Sequence, residues 1–186
     1  MMPRKPRIGF VPGLRDHVPD HWQTLLAERY PGSVTVPRLG GRVLSRAAWV
    51  GVLDQTIDSV EGPVLLVAHS AGVMMVAHWA QSHDRPIRGA LLATPADLEQ
   101  PLPAGYPTPE QIDDAGWLPI PRKPLPFPSI VAASTNDPLA RFDRVAGFAA
   151  DWGSTLVDIG AVGHLNPAAG YGEWARAPDL IGQLGG

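Results

Sequence analysis

The run from Pro63 to Ala68 carries apolar side chains without a break. A strand with one wet face would alternate polar and apolar residues, so this run predicts a strand covered on both faces. Such a strand belongs in a sheet with helices in front and behind. The rest of the chain supplies both kinds of element. Arg7 to Val11, Ser33 to Val36, Ile87 to Ala93, Ser129 to Ser134 and Thr155 to Ile159 read as further strands. Pro19 fits the first turn of a helix to about Tyr30, with Trp22, Leu25, Leu26 and Arg29 at helical spacing. Ser45 suits the cap of a helix to about Val60, with Ala48, Val52, Leu53 and Ile57 on one side. Ala71 to about Gln81, Leu139 to Trp152 and a last helix within Tyr171 to Leu184 complete the pattern. Strands alternating with helices predict an α/β fold, a mostly parallel sheet of about six strands with helices on both faces. In such sheets the chemistry lies beyond the carboxyl ends of the strands.

The length of 186 residues suits one domain, spanning 1–186. Residues 95–128 interrupt the alternation with closely spaced prolines, and only Pro109 to Ala115 suits a helical turn or two. An excursion of this length is either a wall of the site or a plain surface crossover. No internal repeat and no second domain is visible.

Composition removes several classes of function. Lys and Arg total 15 against 18 Asp and Glu, a net charge of -3, and the only basic cluster is the short Arg4-Lys5-Pro6-Arg7 start. No field is available to hold a nucleic acid or an anionic membrane surface, so neither is expected as a partner. The absence of cysteine excludes a thiol nucleophile, a disulfide framework and a thiolate-bound zinc. His17 and His21 are four apart, but Pro19 lies between them and no third ligand accompanies them, so no metal is expected. His78 and His83 read as structural. Neither G-x-G-x-x-G nor a P-loop lysine occurs, and no cofactor is expected. Pro3 and Pro6 flank the N-terminal charges, Ile8 to Val11 is too short for a signal peptide, and no stretch is long enough to span a bilayer. A cytoplasmic location is the expectation.

The chemistry is expected where the Pro63–Ala68 strand runs into His69-Ser70-Ala71-Gly72 and a helical pattern follows. A sharp strand-to-helix turn lifts a serine hydroxyl above the sheet, and small residues two before and two after let the backbone pass close to its neighbours. The usual first position is glycine. Here it is Ala68, one methyl larger. Ser70 is the candidate nucleophile, with an ordinary N-cap as the plainer reading.

A serine hydroxyl needs an adjacent base. His164, in Gly163-His164-Leu165-Asn166-Pro167 beyond the last strand, reaches the same sheet edge. The orienting acid is expected between Ser70 and His164 in the chain. Asp137, in Ser134-Thr135-Asn136-Asp137-Pro138, fits that place and also suits a helix cap before Pro138. Asp97 is the rival carboxylate. For a developing oxyanion, the Ala71 N–H follows the nucleophile, and the loop after the first strand offers the Leu14 N–H, with Arg15 next. Arg15, His69, Trp22 and Trp117 are candidates for binding substrate, Trp117 only if the proline-rich stretch folds over the site.

Four segments carry a resemblance to a known family. They are Val11-Pro12-Gly13-Leu14 with Asp20-His21-Trp22-Gln23; the turn His69-Ser70-Ala71-Gly72; Ser134-Thr135-Asn136-Asp137-Pro138; and Gly163-His164-Leu165-Asn166 with Gly170-Tyr171-Gly172-Glu173-Trp174. Together they resemble the small serine hydrolases of the α/β-hydrolase superfamily that include retinoblastoma-binding protein 9 and its bacterial relatives. The resemblance covers nearly the whole chain. It implies a compact α/β-hydrolase sheet without a large cap domain and a triad of Ser70, Asp137 and His164. It supplies no physiological substrate. The expected activity is hydrolysis of a small ester, thioester or activated amide through an acyl-serine, with a small-molecule acyl substrate as partner. A non-catalytic binding protein on the same scaffold and an acyltransferase stay open at this point, and the sequence sets no oligomeric state.

Overall fold

A computed structural model describes residues 5–14, 18–37, 39 and 44–185. Six strands form one sheet: β1 (Arg7–Val11), β2 (Val34–Thr35), β3 (Val64–His69), β4 (Ile87–Ala93), β5 (Ser129–Ala133) and β6 (Thr155–Asp158). Their order is β2-β1-β3-β4-β5-β6, and every neighbouring pair is parallel. The helices are α1 (Trp22–Glu28), α2 (Arg46–Asp58), α3 (Ala71–Ser82), α4 (Pro109–Asp114), α5 (Phe142–Trp152) and α6 (Ala177–Gln183).

The apolar run of β3 divides its side chains between two cores, as a doubly covered strand must. Val64, Leu66 and Ala68 point into a core built with α2, α3, α4 and α5, through Trp49, Leu53, Trp79, Ile112 and Phe148. Leu65 and Val67 point the other way, onto Trp22 and Leu26 of α1 and Leu180 and Ile181 of α6. Each such buried aliphatic side chain contributes roughly 1.5–3 kcal/mol. The stretch 95–128 joins the first core through Trp117, Ile120, Leu125 and Phe127. It packs as part of the same body as the sheet and helices, not as a separate cap.

Several element bounds differ from expectation. α1 begins at Trp22, not near Pro19, because the His21 ring caps it, Nδ1 accepting from the Gln23 N–H at 3.2 Å. The buried face of α2 carries Trp49 and Val50 with Leu53 and Ile57, and Ala48 and Val52 are only half-buried. α5 begins at Phe142, not Leu139. Asp137 does not cap it, since its carboxylate closes a tight turn by accepting from the Leu139 N–H at 2.8 Å. The last helix is shorter than the stretch that suggested it.

β1 lies between β2 and β3, so the chain leaves it toward one side of the sheet and returns on the other. The loops after β1 and β3 therefore diverge at the carboxyl edge and open a crevice there. Among the described residues no helix is long and apolar enough to cross a membrane.

Candidate active site

Ser70 sits in that crevice between β3 and α3 with φ 59° and ψ -127°, a backbone conformation that costs a non-glycine residue free energy. Its surroundings hold it there. The Ser70 N–H donates to the Ala93 carbonyl at 3.1 Å. A Cβ on Gly13 would fall 2.9 Å from the Ser70 Cβ, so glycine is required where the β1 loop crosses the serine. The methyl of Ala68 is fully buried in the core, and its backbone pairs with Val11 of β1 and Leu92 of β4.

The His164 ring meets Ser70. Its Nε2 is 2.8 Å from Ser70 Oγ, and its Nδ1 is 2.8 Å and 3.0 Å from the two oxygens of Asp137. A carboxylate only accepts, so Nδ1 carries the hydrogen and donates to Asp137, leaving the Nε2 lone pair for the Ser70 hydroxyl proton. Both the histidine and aspartate side chains are buried. The loop carrying His164 is fixed at three points. The Gly163 N–H donates to Asn136 Oδ1 at 2.7 Å, Leu165 is fully buried with φ 49°, and the His164 carbonyl accepts from the His69 ring at 2.9 Å.

Asp97 is engaged elsewhere. It is 1 % exposed and accepts from Arg144 Nε at 2.7 Å and Arg144 Nη2 at 3.2 Å. These bonds hold the Arg144 guanidinium above its already high pKa. Arg144 also reaches Glu99, and Arg122 bridges Glu99 to Asp151 while lying over the Phe148 ring at 4.2 Å. This charged cluster clasps the start of the proline-rich stretch onto α5.

A cavity of about 250 Å³ opens beside Ser70. Leu98, Leu102, Tyr106 and Leu139 form its carbon wall, so part of the 95–128 stretch does flank the site. Leu14, Ala71, His69, His21, Gln23 and Asn166 also line it. Trp22 and Trp117 do not. Trp22 is buried behind the site, edge-on to Trp174 at 4.9 Å between ring centroids. Trp117 lies in the core, its indole N–H donating to the Leu44 carbonyl at 2.7 Å. Arg15 and His17 lie outside the described residues. No group of three metal-ligating side chains occurs among the described residues.

The His69 ring is buried among histidines. Burial first, then the His164 and His21 rings, hold its pKa well below the ordinary imidazole value, against the smaller opposing pull of the His164 carbonyl. It is neutral, with Nε2–H as its donor.

Two supporting residues were not anticipated from the sequence. Gln23 sends its amide to the carbonyls of Val11 at 3.2 Å and Val67 at 2.9 Å, tying together β1 and β3 beneath the site. Asn136 joins the Asp137 turn to the His164 loop. Its place beside Asp137 was the only local signal.

The serine hydrolase family matches residues 8–183 of this sequence. No curated protein matches it. Among solved structures the chain is similar to a YdeN-like hydrolase of Pectobacterium atrosepticum, at 31% identity over 98% of this chain and 94% of that one, with a TM-score of 0.81. It is similar in fold to the ydeN gene product of B. subtilis, at 16% identity over 96% and 98% of the two chains, TM-score 0.72. It is also similar in fold to mouse alpha/beta hydrolase domain-containing protein 10, at 19% identity over 99% and 92%, TM-score 0.67.

Proposed function

Because this chain belongs to the serine hydrolase family, we propose that it is an esterase-like enzyme that cleaves a small ester, thioester or activated amide through an acyl-serine on Ser70. The observation that carries this reading is the buried chain of hydrogen bonds from Asp137 through His164 to a serine held at positive φ beside a cavity.

Ser70 Oγ attacks the carbonyl carbon as His164 Nε2 takes its proton, and Asp137 steadies the imidazolium. The oxyanion accepts from the Ala71 N–H, at the start of α3 where the helix favours negative charge, and from the Leu14 N–H. The leaving alcohol, thiol or amine then takes the proton from His164 Nε2. Water attacks the acyl-serine, again giving a proton to His164. The acid departs and Ser70 Oγ recovers its hydrogen. The substrate is a small molecule whose acyl or leaving group packs against Leu98, Leu102 and Leu139.

A fluorophosphonate probe tests the reading directly. The wild type should label at Ser70, and Ser70→Ala should lose labelling together with roughly 10⁴- to 10⁶-fold of its rate on a p-nitrophenyl ester. Full activity in Ser70→Ala would end the proposal. Absence of labelling in the wild type would favour a silent scaffold, and transfer to an added alcohol in place of water would mark an acyltransferase.

A further inference from the structure

The residue before the nucleophile makes a contact that acyl transfer does not itself require. His69 ends β3, its ring is buried, and its Nε2 lies 2.9 Å from the main-chain carbonyl oxygen of His164. A carbonyl only accepts, so His69 donates from Nε2–H. The Thr94 hydroxyl approaches the same carbonyl more loosely, at 3.5 Å. The ring of His69 also packs against the His164 ring, with 4.8 Å between centroids and planes tilted by 49°.

We infer that His69 is a positioning residue for His164: by holding the carbonyl of His164 through its ring, it sets the reach of the His164 side chain to Ser70. The inference rests on Ser70 and His164 being nucleophile and base. Its physical content is geometric. His164 belongs to a loop that runs from Gly160 to Leu165 through left-handed backbone at Gly160, Gly163 and Leu165. A loop of that kind has no ladder of its own to fix the angle at which a ring leaves it. Ser70, on the other hand, is fixed by β3, β4 and α3. His69 is adjacent to Ser70 in the chain and bonded to His164 across space, so it refers the position of the base to the position of the nucleophile. A displacement of about 1 Å in such a pair costs on the order of 100-fold in rate.

The ring must do this without charge. A cation on His69 would oppose the imidazolium that His164 becomes. The ionisable groups facing His69 are His164 from the loop after β6 and His21 from the cap of α1, and both rings, with burial, keep His69 neutral. Asp137 accepts from His164 Nδ1 and stabilises that ring instead.

Glutamine and asparagine separate this role from simple space filling. In His69→Gln the amide nitrogen reaches the place of Nε2 and can donate. In His69→Asn it stops near the place of Nδ1 and cannot. His69→Asn should lose about 10- to 100-fold in kcat on a p-nitrophenyl ester, with KM little changed and the same order of loss in fluorophosphonate labelling. His69→Gln should recover most of that loss. The acidic limb of its pH profile should be a single-proton limb lying where the wild-type limb lies, because His69 does not titrate there. Equal kcat in the two variants overturns the inference, as does a second proton on the wild-type limb that His69→Gln removes. Failure of both variants to fold also overturns it, since the ring would then be structural. Ser70→Ala, run alongside, tells the two readings apart. If it stays active, the nucleophile assignment fails and takes the role of His69 with it. If it is dead while His69→Asn equals His69→Gln, only the role of His69 is lost.

Discussion

Gly72 and Val11 meet backbone to backbone: a Cβ on Gly72 would fall 2.4 Å from the Val11 carbonyl oxygen, and 2.6 Å from that of Pro12. Neither oxygen can swing aside as the end of a side chain would. Gly72→Ala should therefore destabilise the protein by about 1–3 kcal/mol, the usual cost of overpacking. It should also push the β1 loop, with Leu14, away from Ser70 and slow fluorophosphonate labelling. Urea unfolding reads the first effect and probe kinetics the second. Unchanged values in both would mean that the β1 loop is freer than its contacts imply.

Ala68 makes the opposite case in the same turn. Its methyl is fully buried in a core that accepts it. Ala68→Gly should cost about 0.5–1 kcal/mol through backbone entropy, and labelling at Ser70 should persist. A large gain of activity in Ala68→Gly would show that the methyl hinders the turn.

The two carboxylates are separable by mutation. Asp137→Asn should keep the fold, because an amide oxygen can still accept from the Leu139 N–H, and lower kcat by about 10³- to 10⁴-fold through loss of the ring's orientation. Asp97→Asn should instead weaken the clasp with Arg144 and lower the unfolding free energy by about 1.5–3 kcal/mol. Labelling at Ser70 should survive it. The reverse pattern would reassign the acid to Asp97.

Leu102 lines the cavity from the proline-rich stretch. Leu102→Trp should fill part of its volume and discriminate by size. Long-chain p-nitrophenyl esters should lose about tenfold or more in kcat/KM, while the acetate changes little, since each methylene in such a pocket is worth about 1–3 kcal/mol. An equal loss on all chain lengths would place the acyl chain elsewhere.

Stability should fall on mild acidification. The pKa values of His69 and His78 are both lowered in the folded protein, each first by burial. The unfolded chain takes up these protons near the ordinary value of about 6.5, and the folded chain resists doing so. Their contribution is complete above that value and is lost as pH falls below it toward the depressed folded values. The melting temperature should drop between about pH 7 and pH 5, before most carboxylates titrate. His78→Gln keeps a donor for the Trp117 carbonyl, which accepts from His78 at 2.9 Å, and should flatten the slope. A melting temperature that is flat across this range would contradict it.

Much of the framework was legible locally because periodicity and chain direction are local properties. An unbroken apolar run marked β3, mainly apolar runs marked β4 and β5, and small residues marked the turn at Ser70. The serine, the following acid and the histidine appeared in the expected order, each just beyond a strand. The helix starts at α1 and α5 were misplaced where a proline suggested a first turn. A histidine ring took the cap in one case, and an aspartate turned to the chain ahead of it in the other.

What the sequence by itself determined is the doubly covered parallel sheet and the edge at which Ser70, Asp137 and His164 emerge. It put Asp137 forward as the orienting acid and kept Asp97 as a rival, since both follow strands and both are carboxylates. Tertiary structure separates the two through a residue far along the chain from Asp97: Arg144 draws Asp97 into the clasp on α5, while Asp137 comes within hydrogen-bond reach of the His164 ring. It also turned Trp117 into the core and brought Leu102 and Tyr106 to the cavity. Such outcomes depend on which partner meets a side chain across space, and residue spacing along a chain carries no record of that.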